Sequence, residues 1–150
     1  MSSAPVSSAG SAADYEVVVR RDVGVAMADG AILFADVYVP ALGGEALSGE
    51  LPVLLERSPY DKGRPAHVET GRFFAERGYV FVVQDVRGRY SSDGEFRFLR
   101  NEADDGEATM TWLAAQPWCG PIGTLGISYT TATQQALAVR HPAKLTTQAL

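Results

Sequence analysis

The sequence contains very little cysteine, which excludes two common ways of stabilising a small domain. Cys119 is the only cysteine among 150 residues, so the chain forms neither an internal disulfide nor a cysteine-based zinc site. It precedes an apolar run, where free cysteines are most often small buried residues. The His, Asp and Glu residues do not show the spacing of metal ligands. The sequence therefore predicts no metal and no other cofactor.

Positive charge and long apolar segments are also scarce. The 13 Lys and Arg residues are outnumbered by 18 Asp and Glu residues, giving a formal net charge of -5, whereas nucleic-acid binding requires a basic surface. No apolar run approaches the ~18 residues of a transmembrane helix. Residues 1–14, MSSAPVSSAGSAAD, lack the features of a signal peptide and have the composition of a disordered tail. We expect a soluble, cytoplasmic protein without nucleic-acid or membrane partners, and leave its oligomeric state open.

The segment after the tail has the pattern of an antiparallel hairpin. Apolar and polar residues alternate over residues 15–27, as in a half-buried strand. Asp29-Gly30 is a tight-turn signal, and a second strand-like segment over residues 31–39 ends at Pro40.

From Leu51 onward, short apolar runs alternate with helical patterns. The apolar runs predict strands buried on both faces, over residues 51–56, 79–85 and 121–127. Helices are predicted over residues 68–77, with Phe73 and Phe74 facing inward, over residues 102–116, capped by Asn101, and over residues 129–140. This alternation predicts a mostly parallel sheet covered on both faces. Residues 145–150, LTTQAL, begin another extended segment.

The stretch GTLGISYTTATQQ, residues 123–135, places Ser128 between a predicted strand and a predicted helix. In α/β-hydrolases the nucleophilic serine occupies such a turn, flanked by small residues. The N-terminus of the following helix directs N–H groups and a positive dipole end at any oxyanion formed there. Serine is also common as a helix cap, so the turn alone leaves both interpretations open.

Several further segments, taken in order, resemble one enzyme family. They are ADGAILFADVYVP, LLERSPYDKG, FFAERGYVFVVQDVRGRYSSDGEF and NEADDGEATMTWLAAQPWCGPIGTLGISYT. Over about residues 20–145 the chain resembles the CocE/NonD, peptidase S15-like group of α/β-hydrolases. The resemblance implies an α/β-hydrolase fold, a mostly parallel sheet preceded by an antiparallel hairpin. It also implies a serine hydrolase that cleaves ester or amide bonds, Xaa-Pro dipeptidyl bonds among them, in small-molecule or peptide substrates.

The resemblance assigns roles to three residues. Ser128 is the nucleophile, the backbone N–H of Tyr129 is one oxyanion donor, and the phenol hydroxyl of Tyr60 is the second. Tyr60 follows a predicted buried strand, so it is expected at the sheet edge where Ser128 emerges. Without the family pattern, Tyr60 is more readily interpreted as a loop-packing residue.

Other positions that match the family are expected to be structural. Asp85 and Arg87 lie in a DxRG segment and are predicted to form salt bridges or brace a loop. Three aromatic residues are expected to pack rather than to bind substrate: Phe96, Trp112 and Trp118. One position departs from the pattern Gly-x-Ser-Tyr-x-Gly, because Thr131 stands where the last glycine is expected. A β-branched residue there either crowds the turn or is tolerated.

The resemblance places the catalytic acid and base after residue 150, beyond a cap insertion, with a C-terminal β-sandwich following. His141 lies 13 residues after Ser128, about 20 Å along a helix at ~1.5 Å per residue, and His67 is not expected to act as the base. We therefore expect residues 15–150 to be the N-terminal portion of a hydrolase domain, truncated after the nucleophile helix, poorly soluble and inactive by itself.

Two alternatives stay open at this point. One is a non-catalytic truncated remnant, or an interaction module. The other is a domain that reacts with fluorophosphonates but does not hydrolyse substrates.

Overall fold

The structure is a computed structural model that describes residues 11–150. The predicted disordered tail falls mostly on residues 1–10, outside the described residues. Residues 11–14 are exposed and have no regular secondary structure.

The predicted antiparallel hairpin is confirmed. Strand β1 spans Glu16–Ala26 and strand β2 spans Ile32–Leu42, and the two pair antiparallel. The turn between them uses Gly30 at φ +87°, a conformation that glycine adopts without strain. A two-residue strand, β3 (Glu45–Ala46), pairs with the end of β2.

The remaining strands form a mostly parallel sheet. They are β4 (Leu51–Ser58), β5 (Val80–Asp85), β6 (Cys119–Leu125) and β7 (Leu145–Ala149). The order across the sheet is β1-β2-β5-β4-β6-β7, in which β4 pairs parallel with both β5 and β6, and β6 pairs parallel with β7. The hairpin joins through the antiparallel β2–β5 pair. This arrangement confirms the predicted α/β-hydrolase type of sheet.

Helices cover both faces of the sheet, and alternate residues of β5 show this directly. Phe81 and Val83 pack in a cluster with Ala75 of helix α1 (Pro65–Ala75). Val80 and Val82 pack on the opposite side with residues of helices α2 (Glu102–Ala114) and α3 (Tyr129–Ala138). All six residues of β5 are buried, as expected for a central strand with apolar side chains on both faces.

The predicted inward face of α1 is wrong in one respect. Phe73 is 49% exposed, and the Arg77 guanidinium lies over its ring. Phe74 does pack inward, on Phe81. The buried positions of α1 are spaced four residues apart, as one face of a helix requires: His67, Gly71 and Ala75. The helix also begins three residues earlier than predicted, because Pro65 suits a first turn.

Other predicted boundaries and contacts need smaller corrections. Asn101 occupies the N-cap position of α2, but its side chain makes no capping hydrogen bond. Acidic residues in the first turn interact favourably with the helix dipole instead. Strand β6 begins and ends two residues earlier than predicted, and α3 ends at Ala138. Cys119 is buried, as expected, and Trp112 and Trp118 pack on each other beside the core.

Over residues 11–150, none of the helices combines the length and the apolar character needed to cross a bilayer.

The close approach of α1 to the sheet at Gly71 generates the first prediction. A Cβ at Gly71 would lie 2.6 Å from the Tyr38 ring. Alanine favours a helix over glycine by ~1 kcal/mol, yet we expect Gly71→Ala to lower the free energy of unfolding by about 1–3 kcal/mol through overpacking. Denaturant unfolding measures this, with the exposed Glu69→Ala as a control that changes stability by less than about 0.5 kcal/mol. A more stable Gly71→Ala protein would contradict the packing described.

Candidate active site

Ser128 occupies a strained turn between β6 and α3. Its backbone has φ 62° and ψ -122°, a combination that costs a non-glycine residue about 1–3 kcal/mol. The residue is exposed, and although it holds the N-cap position of α3, its side chain makes no capping hydrogen bond. The hydroxyl is therefore presented to the surface instead of satisfying the helix end.

Residues on either side of Ser128 make the turn possible. Gly126 has φ +151°, and a Cβ there would lie 2.0 Å from the Thr130 hydroxyl oxygen. The Thr130 hydroxyl in turn donates to the Ile127 carbonyl at 2.8 Å. Thr131, the departure from the family pattern, donates its hydroxyl to the Gly126 carbonyl at 3.1 Å. The threonine is thus accommodated by a bond that closes the turn instead of crowding it.

Tyr60 lies directly beside Ser128. Its hydroxyl Oη donates to Ser128 Oγ at 3.2 Å, and the backbone N–H of Tyr129 donates to the same Oη at 3.4 Å. The Tyr60 hydroxyl is therefore hydrogen-bonded both to the serine oxygen and to the Tyr129 N–H. The structure brings together all three residues to which the resemblance assigned roles.

The loop that carries Tyr60 is held by several bonds. The Tyr60 N–H donates to Ser58 Oγ at 3.0 Å, and Arg89 Nε donates to the Pro59 carbonyl at 3.1 Å. Asp85, fully buried, accepts from the backbone N–H of Lys62 at 2.8 Å. Burial raises the pKa of Asp85, although the backbone N–H groups of Lys62 and Ser91 and the Lys62 ammonium oppose the shift. Asp85 thus braces the loop, as predicted.

Arg87 has the other predicted structural role. It bonds Asp105 on α2 at 2.7 and 2.9 Å, and Asp29 in the hairpin turn at 2.8 and 3.2 Å. These contacts fix the hairpin against α2. A cavity of ≈ 350 Å³ lies at this contact. These three residues line it and Ser128 does not, so the candidate active site is identified by the chemistry of its residues.

The buried side chain of Tyr129 anchors the Ser128 turn to the protein interior. It is buried, its hydroxyl donates to Glu102 Oε1 at 2.7 Å, and the hydroxyl accepts from the Leu99 N–H at 3.1 Å. Burial together with the Glu102 hydrogen bond raises the pKa of Tyr129 to about 12. The ring packs on Phe96 and Phe98, so Phe96 is a packing residue as expected.

Glu102 connects Tyr129 to the strand that precedes Tyr60. Arg57 Nη1 lies 2.9 Å from Glu102 Oε2, both side chains being buried, and the same nitrogen donates to the Glu102 carbonyl at 3.1 Å. Oε2 of Glu102 has no hydrogen-bond partner, so its contact with Arg57 is an ion pair without a hydrogen bond. Arg57 also donates to Gln84 at 2.8 Å. Sequence reasoning missed this network, since Glu102 was predicted only as the first residue of the helix over residues 102–116.

Neither histidine contacts Ser128. His67 is buried, with Nδ1 2.7 Å from the Asp61 carbonyl and Nε2 3.4 Å from Glu56. His141 is exposed beyond the far end of α3. In the described part of the chain, the only side chain that hydrogen-bonds Ser128 Oγ is Tyr60. No group of three or more His, Cys, Asp or Glu residues within residues 11–150 is placed to hold a metal ion.

Comparisons with known proteins agree on one family. The family model described as X-Pro dipeptidyl-peptidase (S15 family) matches residues 29–150. Cocaine esterase of Rhodococcus sp. (strain MB1 Bresler) is 39% identical over 131 residues, covering 84% of this chain and 22% of the esterase.

Solved structures agree with that comparison. A CocE/NonD family hydrolase from Staphylococcus aureus matches 88% of this chain with a TM-score of 0.76 and 26% identity. An α-amino acid ester hydrolase matches 97% of it with a TM-score of 0.73 and 26% identity. The matches cover 27% and 28% of those two proteins, so the chain spans about a quarter of the length of the relatives it matches.

The buried Tyr129 hydroxyl provides a stability prediction. Tyr129→Phe leaves a Glu102 oxygen and the Leu99 N–H without their partner, so we expect it to lower the free energy of unfolding by about 1–3 kcal/mol. Tyr90→Phe, at an exposed ring, is the matched control and is expected to change stability by less than about 0.5 kcal/mol. Equal stability of the two variants in denaturant would show that the Tyr129 hydroxyl is not anchored.

The raised pKa of Tyr129 gives an alkaline prediction. Its pKa is about 12 in the folded protein and about 10 in an unfolded chain. The stabilisation is therefore complete below pH ~10 and is lost as the pH rises through ~12. We expect the stability difference between the parent protein and Tyr129→Phe to shrink across that window, as measured by denaturant unfolding at each pH. A constant difference would contradict the assignment.

Proposed function

Because this chain belongs to the X-Pro dipeptidyl-peptidase (S15) family of ester and peptide hydrolases, we propose that it carries the nucleophile of a serine hydrolase. Ser128 is the residue that becomes acylated. The observation that carries the proposal is that the Tyr60 hydroxyl bonds both Ser128 Oγ and the Tyr129 N–H at the strained Ser128 turn.

The proposed reaction begins with attack of Ser128 Oγ on the substrate carbonyl carbon. The Oγ–C bond forms while the hydroxyl proton passes to a general base, and the carbonyl oxygen becomes an oxyanion. Collapse expels the alcohol or amine, which takes up the proton, and leaves an acyl-serine. Water then attacks this ester, releasing the acid and restoring the hydroxyl.

The proposed oxyanion hole consists of two donors of different kinds. In the free protein the Tyr60 O–H donates to Ser128 Oγ. When the serine oxygen is bonded to carbon, that O–H is released to turn toward the oxyanion. The Tyr129 N–H, which donates to Tyr60 Oη in the free protein, then donates to the same oxyanion. Donors fixed before the reaction stabilise the developing charge without reorganisation, and one such donor contributes about 10²–10³-fold in rate.

The general base is not among the described residues near Ser128. His67 is already engaged by Asp61 and Glu56, and His141 follows the opposite end of the helix. We propose that the described residues alone support at most one slow acylation, since the oxyanion hole and binding give only residual rate enhancement. A base that supports turnover must come from outside residues 11–150.

The proposed substrates are esters or amides of small molecules, or peptides. Support comes from the relatives, whose names describe a cocaine esterase, an α-amino acid ester hydrolase and an X-Pro dipeptidyl-peptidase. A second candidate is a domain that captures acyl or phosphonyl groups without hydrolysing them. It is favoured by one observation, the lack of a histidine contact to Ser128 among the described residues.

Reaction of the purified 150-residue chain with a fluorophosphonate tests the proposal. Mass spectrometry should locate a single phosphonyl group on Ser128, and Ser128→Ala should abolish its incorporation. Tyr60→Phe retains the ring but loses the donor, so its rate constant should fall by about 10²-fold or more. Tyr90→Phe, at an exposed ring away from these bonds, is the control and should react at the parent rate.

A small aryl ester then tests whether the 150-residue chain supports turnover. We expect one equivalent of phenol at most per chain, without multiple turnovers. Adducts scattered over other residues, or equal labelling of the parent protein and Ser128→Ala, would overturn the nucleophile assignment. Sustained turnover would overturn the proposal that the described residues lack a base.

A further inference from the structure

A buried His67–Glu56 pair lies next to the Tyr60 loop, and the proposed mechanism does not use it. The two side chains are only 4% and 10% exposed, and Nε2 lies 3.4 Å from Glu56 Oε1. Both residues line a cavity of ≈ 280 Å³ together with Tyr60, Arg64 and the end of β6. The pair is therefore close to the candidate active site but is turned away from Ser128.

The hydrogen-bond partners define where protons reside in this pair. Nδ1 faces the Asp61 carbonyl at 2.7 Å, and a carbonyl only accepts, so Nδ1 carries a hydrogen. Nε2 then faces the Glu56 carboxylate. A neutral imidazole and an ionised carboxylate would oppose each other as two acceptors, so the arrangement requires one more proton between Nε2 and Glu56.

We propose that His67 is a positioning residue for Tyr60, and that the ion pair between protonated Nε2 and Glu56 holds the imidazole where Nδ1 fixes the Asp61 carbonyl. The inference rests on the proposed function of Tyr60 as an oxyanion donor. It adds a pH-sensitive support to that donor, formed by two residues outside the proposed catalytic set.

Asp61 connects His67 to Tyr60, because it is the next residue after Tyr60 and has an unfavourable backbone conformation. Its φ is +75°, which is unfavourable for an aspartate, so the surrounding contacts must maintain it. Its carbonyl accepts from both His67 Nδ1 and the Arg64 N–H at 3.1 Å, and its side chain accepts from the Gly63 N–H at 2.8 Å. Loss of the His67 bond removes the only side-chain donor to that carbonyl among the described residues.

The charges around His67 determine the direction of the pH effect. Burial acts to lower its pKa, but the Glu56 carboxylate and the Asp61 carbonyl outweigh this and raise the pKa overall, against a small opposing effect of Arg64. The cavity residues at and just after the end of β6 are uncharged: Leu125, Gly126 and Ile127. Ala66 and Thr70 of α1 are uncharged as well. Because the folded-state pKa is raised, the stabilisation is present at low pH and is lost as the pH rises through the pKa of the folded protein.

Nuclear magnetic resonance of 15N-labelled imidazoles tests the proton arrangement directly. We expect Nδ1 to stay protonated throughout, with a His67 midpoint above the ordinary ~6.5 that moves to lower pH in Glu56→Gln. Amide signals of residues 60–62 should shift with the same midpoint. Glu69→Gln removes an exposed charge from the same helix and should leave the midpoint in place.

Phosphonylation of Ser128 tests the effect on the site. His67→Ala should react about 10-fold more slowly, whereas His67→Asn, whose amide nitrogen can replace Nδ1, should recover most of the rate. In Glu56→Gln the amide donates to a neutral Nε2, so the ratio of parent to variant rate constants should fall as the pH passes the His67 midpoint. His141→Ala is the control and should match the parent.

The outcomes separate this inference from the proposed function. If Ser128 does not react in the parent protein or in any variant that retains it, the proposed function is wrong. The nuclear magnetic resonance data still decide whether His67 is a positioning residue. A neutral form of His67 protonated on Nε2, or amide signals of residues 60–62 that ignore its titration, would overturn the inference. So would a His67→Ala protein that is folded by its amide spectrum and reacts at the parent rate.

Discussion

The positive-φ turn at Ser128 is the constraint on which the rest of the site depends. An unsupported serine would not stay in this conformation, because the backbone strain of about 1–3 kcal/mol favours relaxation into an ordinary helix cap. Two sets of contacts hold the turn. The buried Tyr129 side chain is hydrogen-bonded to Glu102, and Gly126 fits closely against Thr130. These contacts keep the turn in its strained conformation, and in that conformation the serine hydroxyl is exposed.

Strand order brings the second element of the site to the same place. Strands β4 and β6 are parallel neighbours, with Leu55 opposite Thr124, so the residues that follow them emerge at one edge of the sheet. Tyr60 follows β4 and Ser128 follows β6, and their oxygens lie 3.2 Å apart. Arg57, near the end of β4, reaches Glu102, which also holds Tyr129. The Arg57–Glu102 pair thus links the strand that precedes Tyr60 to the side chain of Tyr129.

Much of the fold was predictable because it follows from local patterns. Alternation in the hairpin, apolar runs in β4 and β5, and the small residues before Ser128 each carry their own signal in the sequence. Contacts between distant polar residues carry no such signal. Glu102 with Tyr129, and Glu56 with His67, are separated by 27 and 11 positions, and only the folded sheet brings them together. Phe73 was misassigned because Gly71, and not an aromatic ring, allows α1 to approach Tyr38.

The relatives are ester and peptide hydrolases, and the geometry of this chain supports the roles proposed for individual atoms. The most direct measurement is an experimental structure of the chain after phosphonylation, in which the phosphoryl oxygen stands for the oxyanion. We expect that oxygen within about 2.7–3.1 Å of both Tyr60 Oη and the Tyr129 backbone nitrogen, with Ser128 still at positive φ. A phosphoryl oxygen directed to solvent, or a relaxed serine, would contradict the proposed site.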